Sequence, residues 1–193
     1  MRFLMLAVLL AACTSAPEPR IQLAPVTVNP VAATSVARSI ELREVSLPYY
    51  AQGEQIGVEQ ADGTVSLRND VLWADLPPRA LTMRLAQTLA ARLPETAVAA
   101  EPWPMLSRAD LRVEVQVSRA VGQVGGEYTL EGQYFIIALN RGTFEHAQSF
   151  AITQPTGGDT IAGISTAQSG AFNALAELIV ADVSSLSARD IGR

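Results

Sequence analysis

The chain contains no lysine, one cysteine and one histidine, and all fourteen of its basic side chains are arginine. One thiol cannot close an intramolecular disulfide, and one imidazole cannot build a multi-histidine metal centre. The formal charge is −5, from fourteen cations and nineteen carboxylates. No basic stripe is present to release counterions from a phosphate backbone, so nucleic acid is not an expected partner. Arginine carries the charge lysine would, so the missing lysine reads as coding bias. No stretch reaches eighteen uncharged apolar residues in a row. The most apolar run, residues 3–12, would rise about 15 Å as a helix, half of a ~30 Å hydrocarbon core, and so is not expected to span a membrane.

The single cysteine sits where that short run ends. Arg2 gives a minimal positive start, residues 3–10 form an apolar segment, and Leu10, Ala11, Ala12 and Cys13 then read as a bacterial lipobox. The spacing has a chemical reason. A nucleophilic thiol must emerge just beyond an apolar helix, flanked by side chains too small to obstruct the modifying enzymes. The expected processing is diacylglyceryl thioether formation on Cys13, cleavage before it, and acylation of the new amine. Two or more acyl chains anchor stably where one would not. The other reading of Cys13 is a buried structural residue on an N-terminal strand. Thr14 occupies the position where Asp is the usual inner-membrane retention signal, which favours the outer membrane.

The expected organisation is a signal peptide over residues 1–12, a lipidated N-terminus and flexible tether over 13–37, and one domain over 38–193. Pro17, Pro19, Pro25 and Pro30 punctuate the tether, and the alternation of Ile21, Gln22 and Leu23, with Val26 to Val28, suits docking as an edge strand. In the domain, Ile40, Leu42, Val45 and Leu47 predict a strand with one phase slip, ended by Pro48. Segments 55–61 and 64–69 flank Asp62-Gly63, a strong hairpin signal. Leu81, Leu85, Leu89 and Leu93 recur every fourth residue between Pro77-Pro78 and Pro94, predicting a helix with one buried face. Leu111, Val113, Val115 and Val117 alternate with polar residues as a half-buried strand. The glycine-rich turn 122–126, strand 127–139, turn 140–142 and strand 143–152 complete an antiparallel meander. Ser165-Thr166-Ala167-Gln168 fits a capping box, opening a last helix on Phe172, Leu175, Ile179, Val183 and Leu186. The fold class expected is α+β: a mostly antiparallel sheet with two helices packed on one face.

Catalytic signals are sparse. His146 lies mid-strand in phase with Phe144, Gln148 and Phe150, with neither a nucleophile nor an orienting acid near it in sequence. Gly122 to Gly126 lacks the Lys-Ser/Thr of a phosphate loop and joins two strands. Asp159 beside Gly157-Gly158 has too few oxygen ligands around it for a calcium site. No enzyme, metal or cofactor is expected. Tyr134, Phe135, Ile136 and Ile137 are consecutive and apolar, so this strand carries apolar groups on both faces. Either loops or tether cover the second face, or it meets another protein.

Residues 39–94 resemble the ABC-type transport auxiliary lipoprotein family, of the membrane-integrity transporter type. Val45, Leu47, Pro48 and Tyr50 match its Val-x-Leu-Pro-x-Tyr motif. Trp73, Ala74, Asp75 and Leu76 match a Trp-Ala-Glu-x-Leu-like motif with Asp for Glu, and a leucine-rich helix follows as in the family. The likeness runs more weakly from Arg20 to Leu186. Leu72 stands where the family usually has Arg, and Ala51 to Gln55 replace an Asp-Arg-Pro-Gln stretch. The resemblance implies an outer-membrane, periplasm-facing lipoprotein without catalysis. Its implied partners are a mammalian-cell-entry-type substrate-binding protein and an inner-membrane ABC transporter or related permease of a lipid-trafficking system, with self-association possible. It makes Pro48, Tyr49, Tyr50 and Trp73 candidate partner contacts. From the residues alone, Trp73 also suits a hydrophobic lid on the proline-started helix, and Tyr49 and Tyr50 cannot both be buried against a one-sided core. Two other readings compete: an envelope assembly helper of pilotin or lipopolysaccharide-export type, and a periplasmic enzyme.

Overall fold

The computed structural model describes residues 18–25, 31–140 and 143–192. The lipobox, Cys13, the signal peptide and Val26 to Val28 therefore lie outside the described residues.

The long middle of the sheet follows from the alternating valines. Strand β6 (Leu111–Gly122) buries Leu111, Val113, Val115 and Val117 on one face. It pairs antiparallel with β7 (Glu127–Ala138), which pairs antiparallel with β8 (Glu145–Pro155). The first turn closes through Gln123 N–H to Glu127 O at 2.9 Å, with Gly125 at φ +70°. The isolated glycine in β7 has a packing reason. A Cβ on Gly132 would lie 2.2 Å from the Gln116 carbonyl oxygen, beside a register shift between Val117 and Arg119.

The other edge of β6 is shared by two shorter strands. Near its start it pairs in parallel with β2 (Ser39–Leu42), which pairs in parallel with β5 (Ala97–Ala100). At its far end it meets β3 (Gln55–Glu59), through Val58 and Gly122. Strand β3 forms the expected hairpin with β4 (Val65–Trp73), and β1 (Arg20–Ile21) runs parallel to the end of β4. The hairpin turn places Gly63 at φ +82°, and Asp62 Oδ1 accepts the Thr64 N–H at 3.0 Å.

Helix α1 (Pro77–Arg92) buries Leu81, Leu85 and Leu89, and α2 (Ile161–Ser185) buries Phe172, Leu175, Ile179 and Val183. Each such leucine or isoleucine contributes about 2 kcal/mol in transfer from water. The helices share one face of the sheet and touch each other, with Arg92 clasping Glu177 in a two-pronged ion pair, Nε to Oε1 at 2.8 Å and Nη2 to Oε2 at 2.7 Å. The architecture is the expected α+β sandwich, on a mixed sheet of eight strands among the described residues.

Several boundaries differ from the sequence reading. The phase slip in the first strand is a break: β2 ends at Leu42, Val45 N–H turns to the Thr82 hydroxyl of α1 at 2.8 Å, and Ser46 resumes pairing with β6. Helix α2 starts four residues before the expected capping box, after Thr160, so Ser165 is an interior helical residue and caps nothing. Gly163 permits that early start, since a Cβ there would lie 2.0 Å from the Thr156 carbonyl oxygen. Among the described residues, the segment before Arg38 also contacts the sheet and helices, starting with Pro19 O, which accepts the Leu72 N–H at 3.0 Å. Arg20–Ile21 is a strand, Ala33 N–H donates to Arg92 O at 2.7 Å, and Ala37 is buried.

Candidate functional site

The first family-like motif forms a corner. Val45 and Leu47 are buried, and Pro48, with φ −58°, leads into a single 3₁₀ turn over Tyr49–Ala51. Ala51 N–H donates to Pro48 O at 2.8 Å, and the Gln52 amide donates to Leu47 O at 2.8 Å. The turn sends the two tyrosines apart. Tyr50 packs inward, its hydroxyl accepting the Ala120 N–H at 3.0 Å, whereas Tyr49 is 91% exposed. Pro48 and Tyr50, both partly exposed, shape the corner, and Tyr49 is the most fully presented to solvent.

Trp73 behaves differently from an exposed contact. It ends β4, is 6% exposed, and belongs to the main core cluster. Its N–H donates to Glu54 O at 2.7 Å, and its carbonyl accepts the Arg20 guanidinium at 3.1 Å. Arg20 also pairs with Glu54 at 3.0 Å, which holds the Glu54 carboxyl below the usual range. Directly after Trp73, Asp75 accepts the Leu76 N–H at 2.9 Å and pairs with Arg79, and Pro77 starts α1. Trp73 thus lies buried just before α1 and lines one wall of a cavity with Pro77 and Ala80.

A cavity of about 440 Å³ opens beside it, between the N-terminal segment and α1. Ile21, Leu23, Trp73 and Met83 supply apolar wall, and Arg84 and Gln168 supply polar groups. The wall formed by residues 21–24 is stitched down from two helices. Ser165 Oγ accepts the Ala24 N–H at 3.0 Å and donates to Gln22 O at 2.9 Å. The Arg84 guanidinium donates to Ala24 O at 2.8 Å and, more weakly, to Leu23 O at 3.4 Å. Gln168 is 4% exposed, and its Oε1 has no partner among the described residues. Tyr128 is buried next to it, and burial pushes its hydroxyl well above the ordinary tyrosine range while Gln168 acts in the opposite direction. The cavity suits a group with an apolar body, and the Arg84 guanidinium that lines it is already engaged by the Ala24 and Leu23 carbonyls. It holds no carboxylate pair for acid–base work.

On the sheet face away from the helices, a second cleft of about 430 Å³ is lined by Ser46, Gln116, Ser118, Gln133 and Ser149. Phe135 and Ile137 lie on this same face, partly exposed, whereas Tyr134 and Ile136 are buried under α2. His146 faces the helix side. Its Nε2 lies 3.3 Å from Asp182 of α2, and the Tyr134 hydroxyl donates to the same carboxylate. Among the described residues, no group of three or more His, Cys, Asp or Glu is placed to hold a metal.

The sequence missed Arg84, Ser165, Gln168 and Asp182. A signal existed for Gln168, a polar residue in phase with Phe172 on the apolar stripe. Nothing local marks Asp182, which lies 36 residues after His146.

The model of the ABC-type transport auxiliary lipoprotein component matches residues 15–180. The chain belongs to this family. Transport auxiliary lipoproteins are a membrane-anchored envelope class, and the corner at Pro48 and the buried Trp73 both fall within the matched region. Two crystal structures share the fold. An uncharacterized protein superposes with TM-score 0.70 at 17% identity, covering 87% of this chain and 99% of its own. A Xanthomonas campestris protein of the DUF330 family superposes with TM-score 0.63 at 15% identity, covering 88% and 94%. No curated protein matches this transport auxiliary lipoprotein.

Proposed function

We propose that this chain is a non-catalytic subunit of a lipid-trafficking system of the mammalian-cell-entry and ABC type, anchored through Cys13 in the outer membrane and facing the periplasm. It works there with a substrate-binding protein of that type and an inner-membrane transporter, and the system maintains membrane integrity. The observation that carries this reading is the family match over residues 15–180. The geometry is compatible with it: Tyr49 on a rigid corner and Phe135 with Ile137 on the open sheet face offer surface for another protein. The His146–Asp182–Tyr134 group joins β8 and β7 to α2.

Deleting the gene and restoring it in two forms tests the reading. The wild-type chain should restore resistance to detergent and take up an alkyne fatty acid on Cys13. Cys13→Ala should do neither, and labelled wild-type protein should fractionate with the outer membrane. Unchanged detergent resistance in the deletion, or normal labelling of Cys13→Ala, would overturn it.

A further inference from the structure

The segment joining β5 to β6, residues 101–110, carries apolar side chains that the described residues leave uncovered. Leu106 is wholly exposed, Met105 is 42% exposed, and Trp103 is half-buried beside them. A lone exposed leucine is ordinary; adjacent exposed Met and Leu next to a tryptophan are not. Pro102 and Pro104 carry no N–H, and the Trp103 indole N–H donates to Ser107 O at 2.6 Å within the loop itself. Of its two acidic residues, Glu101 is occupied by Arg43 at 2.8 Å and by the Glu44 N–H at 2.8 Å, and Asp110 accepts the Arg38 N–H at 2.7 Å. Arg108, just beyond Leu106, is exposed and makes no ion pair among the described residues.

We infer that Trp103, Met105 and Leu106 form a membrane-contact tip that enters the boundary between headgroups and acyl chains of a bilayer. The occupant is a lipid surface because the chain belongs to a membrane-anchored lipoprotein class and the tip joins a tryptophan, two exposed apolar side chains and a cation, the composition of a bilayer interface. The Trp103 indole donor is paired with Ser107 O inside the loop, the backbone amides stay at the hydrated headgroup level, and Arg108 carries the charge that complements lipid phosphate. Anchorage makes a weak contact sufficient. A domain already tethered to the membrane meets it at high effective concentration, so a small apolar tip is enough to fix its orientation. The inference rests on the membrane-anchored lipoprotein reading.

Full-length lipidated protein reconstituted in vesicles of phosphatidylethanolamine and phosphatidylglycerol, with or without brominated phosphatidylcholine, tests both. The chain has two tryptophans, so the emission lost in Trp103→Phe is that of Trp103. Expected results are flotation with the vesicles, quenching of at least half of the Trp103 emission by bromolipid, and poor access for iodide. Leu106→Asp, at a wholly exposed position, should float equally and lose most of that quenching. Flotation with Trp103 open to iodide and untouched by bromolipid overturns the tip and leaves the anchor standing. Shielding from both quenchers points to a protein partner and also overturns it. Failure to float overturns both.

Discussion

The Ser165 hydroxyl of α2 accepts the Ala24 N–H at 3.0 Å, joining the last helix to a segment 141 residues earlier. The same hydroxyl donates to Gln22 O at 2.9 Å, so one side chain of α2 pins both ends of a three-residue stretch in the wall of the 440 Å³ cavity, opposite Arg84 of α1. Ser165→Ala leaves both backbone groups to find other partners. It should cost about 1–2 kcal/mol and speed hydrogen exchange at Ala24 by tenfold or more, with little change in β6 and β7. Unaltered exchange at Ala24 would show that Arg84 alone holds the segment.

Gly132 carries the packing of the long strands. A Cβ there meets the Gln116 carbonyl at 2.2 Å and the Phe150 ring at 2.9 Å. Because the first neighbour is backbone, the strain cannot be relieved by a rotamer change. Gly132→Ala should destabilise by at least about 2 kcal/mol in urea unfolding, whereas Gly53→Ala, with open space around the added methyl, should stay within about 0.5 kcal/mol of wild type.

The pH profile follows from two sets of shifts. The Glu54 carboxyl is lowered by the hydrogen bond and charge of Arg20. A depressed carboxyl contributes stability above its unfolded value and loses it as pH falls through the folded one, so β1 should loosen below about pH 4.5. Glu54→Gln should remove that step from the exchange profile of residues 20–24. Tyr128 and Tyr134 are raised, both mainly by burial. Their contribution is complete below the ordinary value of 10.0 and is lost as pH rises above it. Absorbance titration should show these two tyrosines ionising together with unfolding.

The consecutive apolar stretch of β7 is resolved by the structure into a core pair and an outer pair. Replacing Tyr134 and Ile136 with Glu should prevent folding, since both are buried under α2. Replacing Phe135 and Ile137 with Glu should leave the melting temperature within a few degrees and abolish co-purification with the transporter. If the outer pair also unfolds the domain, the interface lies elsewhere.

Regular, strongly patterned elements were legible in the sequence. The leucine repeat of α1, the alternation of β6 and the Asp62-Gly63 turn each carry their own signal, because one face is buried and the other wet. Elements made by tertiary context were not. Strand β5, Ala97–Ala100, is short and small, and it exists because β2 offers it a parallel edge. The Ser165 sequence mimics a capping box, yet the hydroxyl is used across the fold. Trp73 read first as a lid and second as a contact, and its burial depends on tertiary packing that its neighbours in sequence do not announce. Tyr49 and Tyr50 could be divided into one inside and one outside, but which was which depended on the 3₁₀ turn.

The central claim is that this lipoprotein acts as a transporter subunit. Affinity purification of the full-length, lipidated chain from gently solubilised envelopes tests it most directly, with mass spectrometry identifying what is retained. The account predicts enrichment of a mammalian-cell-entry-type protein and an inner-membrane permease, lost when Phe135 and Ile137 are changed to Glu in a chain that still folds. Recovery of the wild-type chain without any transporter component, from envelopes in which that transporter is intact, would contradict it.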